Sequence, residues 1–427
     1  MKILIMAYSC GPDDGGEPSV GWHWTVGALA SGHTVHLVTR LNNRPAIEAG
    51  RRTLTRDLDA RLVVHYHDLG HILITIKKRL PMFGVMFYYV LWQLRAIRLV
   101  RRLSKAHDID FAHHVTFCND AVFSACAFAG VPFVWGPIGG WSHTFPKGYR
   151  SILDRRAKSY EAVRRVMQLT FGVLDPMCWL TRRRATVGVY YSREACEGTR
   201  PLLRPRNATA VRHVGIAAHE FAAEPSARKP GESLRLISVG RLVHWKGFDL
   251  TLRALALARE PGSDAISLDI IGTGDQRARL ERLTRDLGLD DVVRFHGRVA
   301  EHTDVGDLVR RSHVFVQPTL RDGPPVAMME AMSSGVPVLA AAFGAVPELV
   351  PAEAGRIVRG ADGPDALVAG LAVELRRFER DEALRYQLGV GALAYARDAL
   401  TWDVVAEAQR QLYATMQARL AARTEDR

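Results

Sequence analysis

The chain has 427 residues, 48% hydrophobic and 24% charged, an ordinary balance for a globular protein and too long for one compact core, so two domains are expected. Five cysteines, Cys10, Cys118, Cys126, Cys178 and Cys196, show no CxxC or other metal spacing, which argues against a disulfide framework or a zinc ribbon and for buried thiols in a reducing compartment. The net charge of +12 is uneven: residues 1–214 carry 30 Lys/Arg against 15 Asp/Glu and the remainder 27 against 30, so the first half either faces something anionic or spreads its arginines over a solvated surface.

Residues 1–7 lack the apolar core and cleavage site of a signal peptide and read as a first strand. The longest apolar run, Met82 to Trp92, is 11 residues, too short to span a bilayer. A strand over residues 2–8, a Gly- and Asp-containing loop over 11–21, a helix over 21–30 and a strand over 34–39 make a βαβ unit. Further strands are predicted at 61–66, 111–115, 132–135 and 186–191, with helices at 87–106, 120–128 and 155–172. Residues 206–230 lose the periodic pattern and read as a linker.

The alternation then restarts. Strands are predicted at 234–239, 266–271, 292–295, 313–317 and 338–340, and helices at 247–258, 276–286, 303–311 and 326–334. A last helix over 401–420 opens on Thr401, a fitting N-cap. Two doubly wound α/β domains facing across a cleft follow, the first over 1–210 and the second over 211–400. Ligands of such sheets sit at the carboxyl ends of the strands.

Two stretches of the second half carry chemistry. Gly240-Arg241 ends a strand, and Lys246 stands where the next helix begins, so a fork-shaped guanidinium and an ammonium flank a helix N-terminus, an arrangement suited to a diphosphate. Asp322 and Gly323 lie in the loop before a helix that carries Glu330 one turn in; two such carboxylates can grip sugar hydroxyls. The plainer alternatives are two surface bases, an N-cap aspartate and a glutamate facing the helix dipole.

Gly240-Arg241 with Lys246-Gly247, Ile271-Gly272-Thr273-Gly274, Phe295-His296-Gly297-Arg298-Val299 and the run from Asp322 to Val338 together resemble the retaining, GT-B-fold glycosyltransferases commonly numbered family four. The first half is similar more loosely, through its first loop, His113-His114-Val115-Thr116 and the Trp135-Gly136-Pro137-Ile138-Gly139-Gly140 run of one subgroup. The resemblance implies a GT-B fold of two Rossmann-like domains, with the last helix, 401–420, crossing back to the first rather than closing the second, and hexose transfer from a UDP- or GDP-linked sugar to a glycan or lipid-linked acceptor, with no metal and no cofactor. It implies that Arg241 and Lys246 meet the diphosphate, that Glu330 holds the ribose and that Asp322 faces the transferred sugar. Gly240, Gly274 and the segment Gly323, Pro324, Pro325 and Val326 would line the donor, Arg298 and Val299 would contact the base, and Gly15 and Gly16 would let backbone approach the phosphate. The family usually has Glu-x7-Glu, and Asp322 is one methylene shorter, which bears on sugar choice. Many relatives also carry a histidine where this chain has Trp135-Gly136, so backbone of Gly136, Gly139 and Gly140 is expected to replace it, with His143 nearby. His113 and His114 alternate faces of a strand, and one of them is expected to orient the acceptor.

Residues 71–106 contain no acidic side chain, and bases between 77 and 105 interleave with aromatics. Such a segment suits an anionic membrane surface, at the inner face of the plasma membrane, or else a core helix whose arginines point outward. No recognition helix, zinc finger or stacking motif points to nucleic acid.

Overall fold

In the computed structural model, residues 1–12, 16–70, 73–75, 83–139, 144–225, 232–260, 265–299 and 302–425 are described. The chain forms two units, the first of residues 1–142, 165–215 and 402–427, the second of 143–164 and 216–401.

The first unit is built on β1 (Lys2–Ala7), β2 (Thr34–Thr39), β3 (Leu62–Tyr66), β4 (Phe111–Thr116), β5 (Phe133–Ile138), β6 (Ala185–Tyr190) and β7 (Ala208–Ala210), all parallel, in the order β3-β2-β1-β4-β5-β6-β7. The central strand β1 reads as an unbroken apolar run from Ile3 to Ala7 because both of its faces are covered. The helix Phe83–Ala106 shows how: Tyr88, Tyr89, Trp92, Ala96, Val100 and Leu103, at helical spacing, are buried against Leu4, Met6 and Val38. Arg95, Arg98, Arg102 and Lys105 are exposed on the other side, as is Arg101, which donates to the Phe128 carbonyl at 2.9 Å. The described part of the basic segment is thus a core helix with an arginine-rich outer face, and residues 76–82 lie outside the described residues. Among the described residues no helix is long and apolar enough to cross a membrane.

The helix expected over 120–128 is instead a loop ending in a 3-10 turn, Ala125–Phe128. Its residues are almost all buried, and Ser124 caps the short turn by accepting from the Cys126 amide, so packing rather than helix propensity sets the backbone. The short edge strand β7 falls inside the stretch read as linker.

The terminal helix Trp402–Glu425 packs in the first unit on the helix Gly16–Ala30. Gln409 donates to the Trp24 carbonyl at 2.7 Å, and Tyr413 reaches the imidazole of His113 at 2.8 Å. The other ring nitrogen of His113, Nε2, lies 2.8 Å from the Gly136 carbonyl, which can only accept. Nε2 therefore carries the proton and Nδ1 accepts from the Tyr413 hydroxyl. Burial agrees, pushing His113 down to about 4 against the opposing effect of the Gly136 bond.

The second unit has β8 (Leu234–Val239), β9 (Ile266–Ile271), β10 (Val293–Gly297), β11 (Val314–Gln317), β12 (Val338–Ala341) and β13 (Gly355–Val358), parallel, in the order β10-β9-β8-β11-β12-β13. Residues 144–164, expected in the first domain, cluster instead with this unit. Phe145, Tyr149, Leu153 and Ala157 join its apolar core, and the Tyr149 hydroxyl donates to the Gly360 carbonyl at 2.8 Å. Arg279 donates to the Ile152 carbonyl at 3.0 Å and Gln276 to Asp154 at 3.3 Å.

The His113–Tyr413 bond gives a test. Tyr413→Phe leaves the buried Nδ1 without a donor, which costs about 1–3 kcal/mol. A thermal melt should fall by several degrees relative to the unsubstituted chain, and an unchanged melt would remove the bond from the account of how the last helix is held.

Candidate functional site

The order of the second sheet reverses between β8 and β11, because β9 and β10 lie on one side of β8 and β11 to β13 on the other. The carboxyl ends of β8 and β11 therefore flank the topological switch point, where an open α/β sheet leaves its binding crevice. The Gln317 amide joins the two ends, donating to the Val239 carbonyl at 2.9 Å. Its Oε1 is buried with no partner among the described residues.

Loops at the carboxyl ends of β8, β9 and β10 are laced together. The Gly240 amide donates to Ile271, Leu242 to Thr273 and Gly272 to Gly297, at 3.0, 2.9 and 2.8 Å. Gly274 serves this lacing, since a side chain there would lie 2.2 Å from the Leu242 carbonyl. Lys246 closes a 3-10 turn, His244–Lys246, and the following helix starts one residue later than expected, at Phe248. Gly247 takes the left-handed conformation at φ 74° between them, and a Cβ there would meet the Pro318 carbonyl at 2.1 Å. That close approach brings the loop after β8 against the loop after β11.

The result is an ion pair between Lys246 and Asp322, two residues singled out from separate motifs. The Thr319 hydroxyl lies 3.3 Å from the Asp322 carboxylate and 3.1 Å from the Trp245 carbonyl. Arg241 is exposed, its guanidinium 6.0 Å from the centre of the Trp245 ring. Arg321 stands over the same ring at 4.9 Å, within cation–π range, and Tyr160 stacks on it.

Behind this group lies Glu161, which the sequence reading did not single out. It accepts from His244 at 2.8 Å and from Arg321 at 2.7 Å. Burial works to raise its pKa, but these two bonds and the Arg321 charge outweigh it and hold the carboxyl at about 2. Glu161 is 83 positions from His244 and 160 from Arg321, so no local motif marks it.

The helix Val326–Ser333 starts on Pro325, and no side chain caps its first turn. Gly323 and Pro324 are half-buried, Pro325 buried. Glu330 lines a cavity with Arg310, Gly306, His219, Glu220 and Ser334. Arg298 is exposed and Val299 half-buried just past β10.

The candidates of the first unit fare differently. Gly15, Gly140 and His143 lie outside the described residues. Gly16 opens the first helix with φ 55° and nothing within 4 Å of where a Cβ would stand. Neither histidine of β4 is available to orient an acceptor, contrary to expectation. His113 is engaged as above, and His114 is buried, with Nε2 3.1 Å from the Tyr89 hydroxyl. The two do alternate faces, but both faces of a central strand are covered. Gly136 and Gly139 likewise serve the interior. A side chain on Gly136 would lie 2.0 Å from the Val189 carbonyl, and the Gly139 amide donates to Cys118 at 2.7 Å.

Residues 221–389, within the second unit, match the family model described as Glycosyl transferases group 1. Among curated relatives, the D-inositol 3-phosphate glycosyltransferase of Streptomyces avermitilis is 32% identical over 244 residues, 53% of this chain and 51% of that protein. The amylovoran biosynthesis glycosyltransferase AmsK of Erwinia amylovora is 30% identical over 158 residues, 36% of this chain and 37% of that one. The chain thus spans about half or less of the length of these relatives. Anabaena HepE, crystallised with UDP-glucose, superposes with a TM-score of 0.60 at 16% identity, covering 97% of this chain and 100% of that one, a likeness of fold. The second unit thus contains the stretch similar to the group 1 glycosyl transferases, and the two parallel sheets share the GT-B fold of such solved structures, as the motif resemblance implied.

Glu161 yields a pH-dependent test. Its folded pKa, about 2, lies below the ordinary 4.5, so it stabilises the fold above pH 4.5 and that contribution fades as pH falls toward 2. Glu161→Gln should lower stability at pH 7 by on the order of 2–3 kcal/mol, with the gap from the parent narrowing in melts taken at successively lower pH. A gap that stays constant with pH would show that the carboxylate charge is not what matters.

Proposed function

We propose that the chain is a retaining glycosyltransferase that moves a hexose from a nucleoside diphosphate sugar to a glycan or lipid-linked acceptor, in cell-surface polysaccharide or glycolipid assembly. The observation that carries this reading is the Lys246–Asp322 pair at the switch point of a sheet whose sequence matches the group 1 family. The amylovoran enzyme supports the polysaccharide role, and the UDP-glucose complex of HepE supports a nucleotide-sugar donor.

On this reading Lys246 and the exposed Arg241 take the diphosphate oxygens, and their charge stabilises the leaving group as the glycosidic bond to phosphate breaks. Asp322 holds Lys246 in place before the donor arrives and accepts from a hydroxyl of the transferred sugar. The acceptor hydroxyl attacks from the face the phosphate leaves, passing its proton to a phosphate oxygen, so the configuration is retained. Two fixed cations supply the charge that a divalent ion supplies elsewhere, which makes transfer independent of metal. Glu330 reaches the ribose, Arg298 and Val299 the base, and Gly323 to Val326 the sugar. The enzyme works at the cytoplasmic face of the plasma membrane, where the outer face of the helix Phe83–Ala106, with exposed Phe87 and Leu94 among its arginines, rests on anionic lipid.

A panel of UDP- and GDP-sugars should contain one that raises the melting temperature and is slowly hydrolysed without acceptor, in EDTA as in its absence. Lys246→Ala and Arg241→Ala should each slow nucleoside diphosphate release on the order of a hundredfold. Full turnover in either variant would remove that residue from the donor site.

Vesicle flotation addresses the membrane contact separately. The chain should float with anionic but not zwitterionic vesicles, and Arg98→Glu/Arg102→Glu should weaken this at least about tenfold. If the unsubstituted chain ignores anionic vesicles at low salt, the membrane reading fails and the transferase reading stands.

A further inference from the structure

We infer that the first unit binds a divalent transition-metal ion of the Zn2+ class through His36, His65 and His107, at a place that the glycosyl transfer chemistry does not use. His36 is in β2, His65 in the neighbouring strand β3, and His107 directly follows the helix Phe83–Ala106. The strands are in parallel register with His36 opposite Val63 and His65 opposite Val38. The two histidines are therefore two rungs apart on one face of the sheet, close enough for long side chains to converge. That face is the one packed by the helix that ends at His107.

The three side chains each place a ring nitrogen so that all three lie within 4.8 Å of one another. His36 Nδ1 and His65 Nε2 are 3.1 Å apart. A zinc ion with Zn–N bonds of about 2.0–2.1 Å needs tetrahedral N–N edges of about 3.3 Å, so one edge is nearly formed and the others require the half-exposed His107 to draw in. The ring centroids of His36 and His107 are already 4.4 Å apart. Among the described residues the only side-chain hydrogen bond these rings make is the one between His36 and His65. His36 is 4% exposed, which fixes one ligand rigidly, while the other two keep access to solvent.

The donor set decides the kind of ion. Three imidazoles without a carboxylate disfavour Ca2+ and Mg2+ and suit Zn2+, Co2+, Ni2+ or Cu2+. Lys2 and Arg102 are the nearby cations and oppose a dication, which weakens the site. Lys2 is offset in part by Asp108, 4.0 Å away, and by Asp110, which accepts from the Lys2 amide. That same contact sets the helix end beside the start of β1. The cluster thus lies away from the carboxyl-terminal loops where these sheets bind ligands. Its effect is to fasten the edge strand β3, its neighbour β2 and the end of the helix to one another, leaving a fourth position for water.

The test uses the full chain stripped with EDTA and titrated calorimetrically with ZnCl2 at neutral pH. One ion per chain is expected, together with a raised melting temperature and the visible absorption of a tetrahedral site when Co2+ is substituted. His65→Ala and His107→Ala, both at half-exposed positions, should each weaken binding on the order of tenfold or more, with metal-free melts unchanged. Absence of saturable binding of Zn2+, Co2+ and Ni2+ would overturn the inference. So would unaltered binding in a folded His65→Ala/His107→Ala double variant, which would assign the ion to other histidines. Binding is read without any sugar donor, so failure here leaves the transferase reading untouched, and the reverse.

Discussion

The contact that ties together the loops at the second unit's switch point is the ion pair of Lys246 with Asp322. Each side chain sits on a loop that leaves a different strand, and only the reversal of strand order makes those strands neighbours. Gly247 permits the loops to meet, Gln317 joins the strand ends, and Thr319 bonds to the backbone that presents Lys246. The pair is half-buried, with 16% and 23% of the two side chains exposed. Its consequence is positional: a long lysine side chain, which otherwise samples many rotamers, is held at one point before any ligand arrives.

Glu161 extends the same logic outward. Arg321 would carry a free charge beside Lys246 and Arg241 and repel both. Instead its guanidinium is bound to Glu161 on one side and lies over Trp245 on the other. Trp245 thus stacks with Tyr160 and has two arginines near its ring, one anchored and one open to solvent. The segment 144–164 reaches this place because Tyr149 and Phe145 bury themselves in the second unit's core. A stretch that links two elements of one unit in sequence thus completes the other in space.

The sequence made some of this plain and hid the rest for identifiable reasons. A strand such as Ile3–Ala7 is legible because both faces of a parallel sheet are buried and the run is continuously apolar. The strands β7 and β13 are short, and most of their residues are partly exposed, so they carry no such run. Lys246 and Asp322 were legible through motif spacing, but their pairing was not, because it depends on strand order. The alternation of His113 and His114 was read correctly and interpreted wrongly: pattern gives the face, not whether that face is covered. Glu161 and the three clustered histidines are joined only through tertiary contacts spanning dozens of positions. The unit boundary at 144–164 was missed because an apolar stripe says that a helix is packed without saying on which sheet.

The charge distribution now has a physical reading at two length scales. The surplus of bases lies in residues 1–214, whereas the group 1 domain belongs to a half with 27 basic and 30 acidic residues. Net charge alone would place an anionic ligand on the first half. Screening removes the conflict, because beyond about 8–10 Å the field of exposed charges is largely lost in physiological salt. A diphosphate at the switch point would respond to Lys246, Arg241 and Arg321 at short range, and to little else of the unit's acidic excess. The arginines on the outer face of the helix Phe83–Ala106 act on the opposite scale. They are spread along several turns, and the helix's aromatic face is spent in the core. A row of exposed cations of that kind is spread too widely to meet a single small ligand, so it calls for a different physical account from the cations at the switch point.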